Sequence, residues 1–263
     1  MLIIKIGGGK GINIDGIISD LAALNEKFII VHGANALRDE LAKKLNISKR
    51  IVTSVSGYDS VLSNEETIDL MMMSYAGLRN KRIVELCQQK GINAVGLSGL
   101  DGKLIQGKRN AGIKIREDGK TLIVRDFSGK PKSVNRHLLN LLLVNGYIPV
   151  LSVPLIDENN FAINSENDDI IALLQQEFNA DKIISLIEES GLLLDKNDPN
   201  SLVPKLTKAE LDEMEKKVEG RMKRKILALK KLFETGNSTV ILSDGRTEHP
   251  INDALNGKGT IIS

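Results

Sequence analysis

The sequence predicts an α/β protein with helices on both faces of a mainly parallel sheet. Two observations carry this. Short, β-branched and almost wholly apolar runs recur along the chain, as in strands buried on both faces. Longer stretches of helical pattern alternate with them, which is the strand–helix rhythm of a parallel sheet. A third observation marks an exception. Residues 103–136 are rich in glycine and β-type residues and break the rhythm, which predicts an antiparallel β-hairpin insertion.

In chain order, Leu2–Ile6 reads as the first strand and ends in glycines. A helix is predicted over Ile14–Asn25, a second strand over Phe28–Val31 and a helix over Asn35–Leu45. Glu65–Lys90 is long enough for an extended helix, and Ala94–Leu97 is the third apolar run. In the insertion, Gly107, Gly112, Gly119 and Gly129 mark turns. Beyond it come a helix over Val134–Asn145, a strand over Ile148–Val153, a helix over Asp168–Phe178 and a strand over Ile183–Leu186. Lys196–Pro204, with Asp198-Pro199 and Pro204, is a loop. A helix over Lys223–Glu234 and a strand over Thr239–Leu242 complete the alternation.

With 263 residues the chain is long enough for one large α/β domain or two lobes sharing a sheet. The lone Cys87 excludes an intrachain disulfide framework and a multi-cysteine metal cluster, and it falls in a helical pattern that reads as core. Met71-Met-Met73 reads as packing. No apolar run approaches the roughly 18 residues of a membrane span, and the start of the chain lacks a basic signal region. A cytoplasmic protein without a membrane partner is expected. Three Tyr, five Phe and no Trp argue against a base-stacking nucleic-acid platform. The insertion holds ten basic residues against three acidic ones, a local excess of seven in a chain of net charge +2.

Four stretches could carry chemistry. Lys5-Ile-Gly-Gly-Gly ends a strand before a helix, so backbone N–H groups can approach an anion and Lys5 adds a point charge. It is neither a Walker A motif nor a dinucleotide fingerprint, and a plain tight turn is the alternative. Val31-His-Gly-Ala-Asn also follows a buried strand. Gly33 and Ala34 allow close approach to a second ligand, and His32 is read as a structural hydrogen-bonding group because no nucleophile accompanies it. Ala162–Asp169 precedes a helix, with Asn164, Asp168 and Asp169 able to reach a cleft or simply to cap. Gly220-Arg-Met-Lys-Arg-Lys225 opens a helix with four positive charges. Cations are disfavoured there, and a nearby phosphate would offset that; a solvated basic face is the alternative.

Together these segments resemble the amino-acid kinase family, in its N-acetylglutamate-kinase branch. The resemblance runs through Lys5-Ile-Gly-Gly, Val31-His-Gly, Gly77-Leu-Arg-Asn-Lys81, Gly146-Tyr-Ile-Pro-Val150, Ala162–Leu173, Gly220–Lys225 and Asn256–Thr260, nearly the whole chain in order. Gly96–Gly102, Gly220–Lys225 and Ser243-Asp-Gly-Arg246 resemble a narrower group. Its members act on 2-aminoadipate or glutamate attached through the amino group to the acidic carrier protein LysW. The resemblance implies a three-layer α/β/α sandwich around a mainly parallel sheet of about eight strands. Residues 1–175 would bind the acceptor and carry the basic hairpin 103–136, and residues 176–263 would bind ATP with Mg²⁺. It implies a homodimer.

By match to the motifs, Lys5 and Lys225 would contact phosphate, Gly8 would donate a backbone N–H, and Asp168 would hold the lysines. Gly33, Ala34 and Asn164 would line the acceptor pocket. Gly7, Gly8, Glu188, Gly191, Gly220, Met222 and Lys225 would form the nucleotide side. The sequence departs from the family in three places. Ile187-Glu188 stands where the family reads Ser/Thr-Asp/Asn, and Ala34-Asn35 where it continues with glycines. Val61-Leu-Ser-Asn64 stands where the family carries Arg-Val/Leu-Thr-Asp, whose arginine holds the substrate α-carboxylate; Arg50 is a candidate substitute. A resident protein-bound metal is not expected. Lys108, Arg109, Lys114, Arg116 and Arg125 are candidates for steering an acidic carrier, or for a solubilising sheet edge. Alternatives are a kinase for free N-acetylglutamate and a non-catalytic nucleotide-binding regulator.

Overall fold

Alternate residues along each inner strand enter opposite cores. Ile3, Ile29, Val31, Leu151, Ile183 and Val240 join one buried cluster, and Leu2, Ile4, Ile30, Val150, Ile184 and Ile241 join the other. That is why these strands read as unbroken apolar runs. The computed structural model describes residues 1–48, 50–53, 55, 59–117, 120–195, 197–217, 220–234 and 238–263, without the side chains of 59–61, 117, 217, 220–225 and 234.

The central sheet has eight strands: β1 (Leu2–Ile6), β2 (Phe28–His32), β3 (Ala94–Ser98), β4 (Ile148–Ser152), β5 (Lys182–Ile187), β6 (Lys205–Leu206), β7 (Thr239–Asp244) and β8 (Thr260–Ile262). Their order is β6-β8-β7-β5-β1-β2-β4-β3. Every pairing is parallel except β7 with β8. One face is covered by helices Ile14–Ala22, Asn80–Gln89 and Pro250–Leu255. The other is covered chiefly by Arg136–Val144, Asn167–Phe178, Lys208–Lys217 and Gly220–Glu234. The expected three-layer α/β/α sandwich is present.

The insertion consists of two nested antiparallel ribbons. Ile105–Arg109 pairs with Gly129–Val134, and Ile113–Glu117 pairs with Lys120–Val124. A third ribbon, Ile51–Thr53 with Asp59–Val61, packs Val52 and Leu62 against Ile115. The stretch expected as one helix over Glu65–Lys90 is continuous, but residues Met72–Arg79 form a π-helical segment between two α-helical ones. Cys87 is wholly buried, and burial pushes its thiol up to about 12, as a core role requires. Met71 is core, whereas Met73 is exposed. Asp20, buried under the last helix, accepts hydrogen bonds from the backbones of Ile251 and Asn252 and from the Asn252 side chain, fastening the end of the chain to the first helix.

Candidate active site

The order in which the strands are laid down switches sides at β1: β2 follows on one side, and β5 lies on the other, all three parallel. Open parallel sheets bind ligands in the crevice outside the carboxyl ends of strands at such a point. A cavity of about 550 Å³ opens there, lined by residues just beyond β1, β2 and β4, with Ile187 at the end of β5.

The turns after β1 and β2 interlock. Gly33 N–H donates to Ile6 O and Ala36 N–H donates to Gly8 O, each at 2.9 Å. A Cβ on Gly8 would lie 2.7 Å from Asn35 N and 2.8 Å from Ala34 N, and one on Gly33 would lie 2.9 Å from Gly8 N. Both positions therefore exclude a side chain because backbone occupies the space. The Gly8 N–H has no hydrogen-bond partner among the described residues. Ala34, expected in the pocket, is instead buried in the core outside the cavity wall, with its N–H turned to the Tyr75 hydroxyl. The helix Asn35–Lys44 also starts here without a side-chain cap. Free N–H groups at a helix start form an anion-binding surface.

Lys5 rises from β1 and donates to Asp168 Oδ1 at 2.6 Å. Asp168 and Asp169 occupy the first turn of Asn167–Phe178, where carboxylates favour the helix dipole. Asp169 pairs with Lys231 at 2.7 Å, which docks helix Gly220–Glu234 against this one. Leu229, one turn beyond Lys225, lines a small cavity with Lys5 and Asp168. The side chains of Met222 and Lys225 lie outside the described residues, as does the detail of Gly220, so only the course of their helix is fixed.

Asn164 faces the cavity and donates to Ser63 Oγ at 3.2 Å. Asp126 is buried and accepts from the N–H groups of Ser63 and Ser128 and from the Ser128 hydroxyl, which clamps two distant loops into one wall. Glu166 also lines the cavity. Burial raises its carboxyl above the usual range, and the neighbouring Asp168 and Asp169 add to that. Tyr75 donates to Asn35 Oδ1, and burial pushes its phenol upward. Arg38, on the helix Asn35–Lys44, completes this wall.

His32 is fully buried. Its Nδ1 lies 3.3 Å from Gly33 O and its Nε2 3.1 Å from Asn80 Nδ2, which also donates to Val150 O. Burial lowers its pKa to about 4, so the ring is neutral at physiological pH and does not line the cavity. That arrangement is a structural bridge between strands.

Several expected residues lie apart. Arg50 is exposed and is not part of the cavity wall. The Glu188 carboxylate accepts from Gly11 N–H at 2.7 Å and covers Gly9, so it latches the glycine turn from outside. Gly191 packs against Leu202 and Thr260 in the far part of the sheet. Gly7 N–H donates to Leu186 O and fixes the start of the turn. Sequence reasoning did not single out Asn35, Arg38, Ser63, Tyr75, Asp126, Ser128 or Glu166 for the cavity. Asp126-Phe-Ser128 offered one signal, the Asx-turn spacing.

Residues 1–244 match the amino acid kinase family. This chain belongs to it. The [LysW]-aminoadipate kinase of Thermus thermophilus is 39% identical over 100% of both chains. That of Deinococcus radiodurans is 36% identical over 100% of this chain and 91% of its own. The [LysW]-aminoadipate/[LysW]-glutamate kinase of Sulfolobus acidocaldarius is 32% identical over 100% of both. Among solved structures, an N-acetylglutamate synthase from Neisseria gonorrhoeae superposes with a TM-score of 0.78 at 18% identity, covering 100% of this chain and 59% of that one. A Giardia carbamate kinase gives 0.68 at 16%, covering 100% and 98%. At such identities the structural likeness is one of fold. The family match and the kinase relatives bear out the expectation of an ATP-dependent phosphotransferase. Among the described residues, no helix of this family member is long and apolar enough to cross a membrane.

Proposed function

We propose that this amino acid kinase transfers the γ-phosphoryl group of ATP to the side-chain carboxylate of 2-aminoadipate or glutamate, giving an acyl phosphate in lysine or arginine biosynthesis. The acceptor is joined through its amino group to an acidic carrier protein of the LysW kind. The observation that carries the reading is the interlocked pair of glycine turns beside the Lys5–Asp168 pair, in a cavity that His32 does not enter. The names of the full-length relatives supply the acceptor class.

A carboxylate acceptor, with a reference pKa near 4.3, is already ionised and needs no general base. The site's task is to bring two anions together and to neutralise charge on the transferring oxygens. Positioning and electrostatics supply most of that catalysis. In this reading Lys5 and the N–H group of Gly8 receive the phosphoryl oxygens, and Asp168 keeps Lys5 aimed. Lys225 takes the second lysine's part by motif. Residues 1–175 hold the acceptor and residues 176–263 the nucleotide. Among the described residues no group of three or more His, Cys, Asp or Glu is placed to hold a metal. Mg²⁺ would enter with the nucleotide, and Asp168 and Glu166, both in the cavity wall, are the carboxylates that would hold it. When bound, Mg²⁺ neutralises charge on the β- and γ-phosphates.

The hairpin supports the carrier. Ile113 lines the cavity, and Lys114 and Arg116 continue from it, exposed, as does Lys108 on the neighbouring ribbon. Arg109 and Arg125 are spent partly on Phe127, 3.8 and 4.9 Å from its ring centre. Converting Lys114 and Arg116 together to Glu is expected to raise KM for a carrier-linked acceptor about tenfold or more at low salt, with ATP KM unchanged. The difference should shrink as salt rises. An unchanged KM at low salt would leave the hairpin as edge protection.

The reading also takes the chain as a cytoplasmic homodimer. β3 ends the sheet, its outer carbonyls at Ala94 and Gly96 taken by the Gln88 and Lys81 side chains, and the exposed Met73 and Leu78 on the neighbouring helix support a second copy there.

The deciding test is acyl-phosphate formation trapped with hydroxylamine, using ATP and Mg²⁺ with two acceptors. Turnover of glutamate or aminoadipate on the carrier, without turnover of free N-acetylglutamate, is expected. Turnover of the free acid alone would make the chain a small-molecule kinase, and ATP binding without turnover of either would make it a regulator.

A further inference from the structure

We propose that Arg38 holds the acceptor's α-carboxylate, in place of the arginine that the family carries at the position of Val61. The inference rests on the carboxylate-kinase reading above and deepens it.

An amino acid linked through its α-amino group keeps two carboxylates. One reacts; the other must be held, and each needs a cation. Among the described residues, the cavity wall carries two cationic side chains, Lys5 and Arg38. Lys5 belongs to the phosphoryl end, tied to Asp168. Arg38 lies three residues beyond Asn35 on one face of the same helix, and both line the cavity. The wall therefore presents uncapped backbone donors at the helix start and a guanidinium one turn further on.

The guanidinium is oriented and half used. Its Nε and Nη2 both donate to Asp39 Oδ1, at 3.0 and 2.9 Å. An arginine has five donors in a planar fork. The two bonds to Asp39 consume one edge. The end formed by Nη1 and the second hydrogen of Nη2 has no partner among the described residues. That end is the pair of parallel N–H groups that takes a carboxylate bidentately. The Arg38 side chain is 18% exposed, so a carboxylate bound there would be shielded from most competing water.

Among the described residues, the rest of the lining offers no other cation for this carboxylate. Ser63, two residues after Val61, reaches the cavity with a hydroxyl, and Asn164 with an amide; neither carries charge. Asp126, on that wall, is committed to backbone N–H groups. Arg50 lies outside. The helix after β2 thus supplies the cation that the sequence lacks at Val61.

The test is steady-state kinetics of Arg38→Ala and Arg38→Lys, with a carrier-linked acceptor and with the same acceptor carrying a carboxamide in place of its α-carboxylate. Arg38→Ala is expected to raise acceptor KM about 10- to 100-fold, the scale of losing charged hydrogen bonds, with ATP KM within about threefold. Arg38→Lys should recover only part, because an ammonium cannot form the fork. The carboxamide acceptor should cost wild type the same factor and cost Arg38→Ala nothing further. Arg50→Ala, the control, should match wild type.

An unchanged acceptor KM in Arg38→Ala, or equal losses on the carboxamide in wild type and variant, would overturn the assignment. If Arg38→Ala fails to fold, Arg38→Lys and the wild-type carboxamide comparison decide it. Failure of wild type to phosphorylate any carboxylate acceptor would overturn the parent reading instead, and this one with it.

Discussion

Lys5→Ala is expected to lower kcat by at least about two decades while the protein stays folded. The magnitude is that of removing one preorganised donor from a site where charge develops in the transition state. Lys5 enters the cavity from β1, whose backbone is locked between β2 and β5 in register, so its Nζ is positioned by the sheet and by Asp168 rather than by a loop. Stability should change little. Both partners of the ion pair keep some contact with solvent, 19% and 33% of their side-chain area, and such pairs contribute on the order of 1 kcal/mol or less. Hydroxylamine trapping gives kcat, and a thermal melt gives the fold. Lys5→Met keeps the length of the side chain and should lose as much activity, which separates charge from packing. Turnover within tenfold of wild type in either variant would remove Lys5 from the phosphoryl end and leave it a core-edge lysine.

The same pair illustrates what could be read in advance. Lys5, Gly8, Gly33 and Asp168 were legible because each lies at the end of a strand or the start of a helix whose apolar pattern is strong. The six long strands of the sheet were legible for the same reason. β6 and β8 were not, being two and three residues long with no period to detect. The helix Lys208–Lys217 escaped because it is nearly all charged and buries little beyond Leu211. The π-helical turn at Met72–Arg79 leaves no local mark, since the residues around it suit an α-helix equally well. The far wall of the cavity was the largest omission. Ser63, Asp126 and Ser128 meet through a buried carboxylate bridging 63 positions of sequence, and no spacing rule connects residues so far apart. Arg38 was hidden in a different way: on a polar helix, nothing distinguishes the one arginine that faces inward.

Gly8→Ala is expected to abolish activity and also to destabilise the fold, an effect unlike that of Lys5. The added methyl would lie 2.7 Å from Asn35 N, 2.8 Å from Ala34 N and 3.0 Å from Gly33 C. All three are backbone atoms, so no side chain can swing away, and the two turns must separate. Forced repacking of this kind costs about 1–3 kcal/mol, seen as a lower denaturation midpoint. Activity should fall further than stability. In the proposed reading the Gly8 N–H meets the anion only while the turns interlock, and a misplacement of about 1 Å can cost about a hundredfold in rate. Gly33→Ala presses on the same contact from the other side, at 2.9 Å from Gly8 N. The two variants should therefore be non-additive: once either has opened the contact, the second has less left to lose. A double mutant whose losses are the sum of the singles would mean that each turn acts alone. Near-normal turnover in Gly8→Ala would show that the interlocked turns are scaffold, with phosphate held elsewhere.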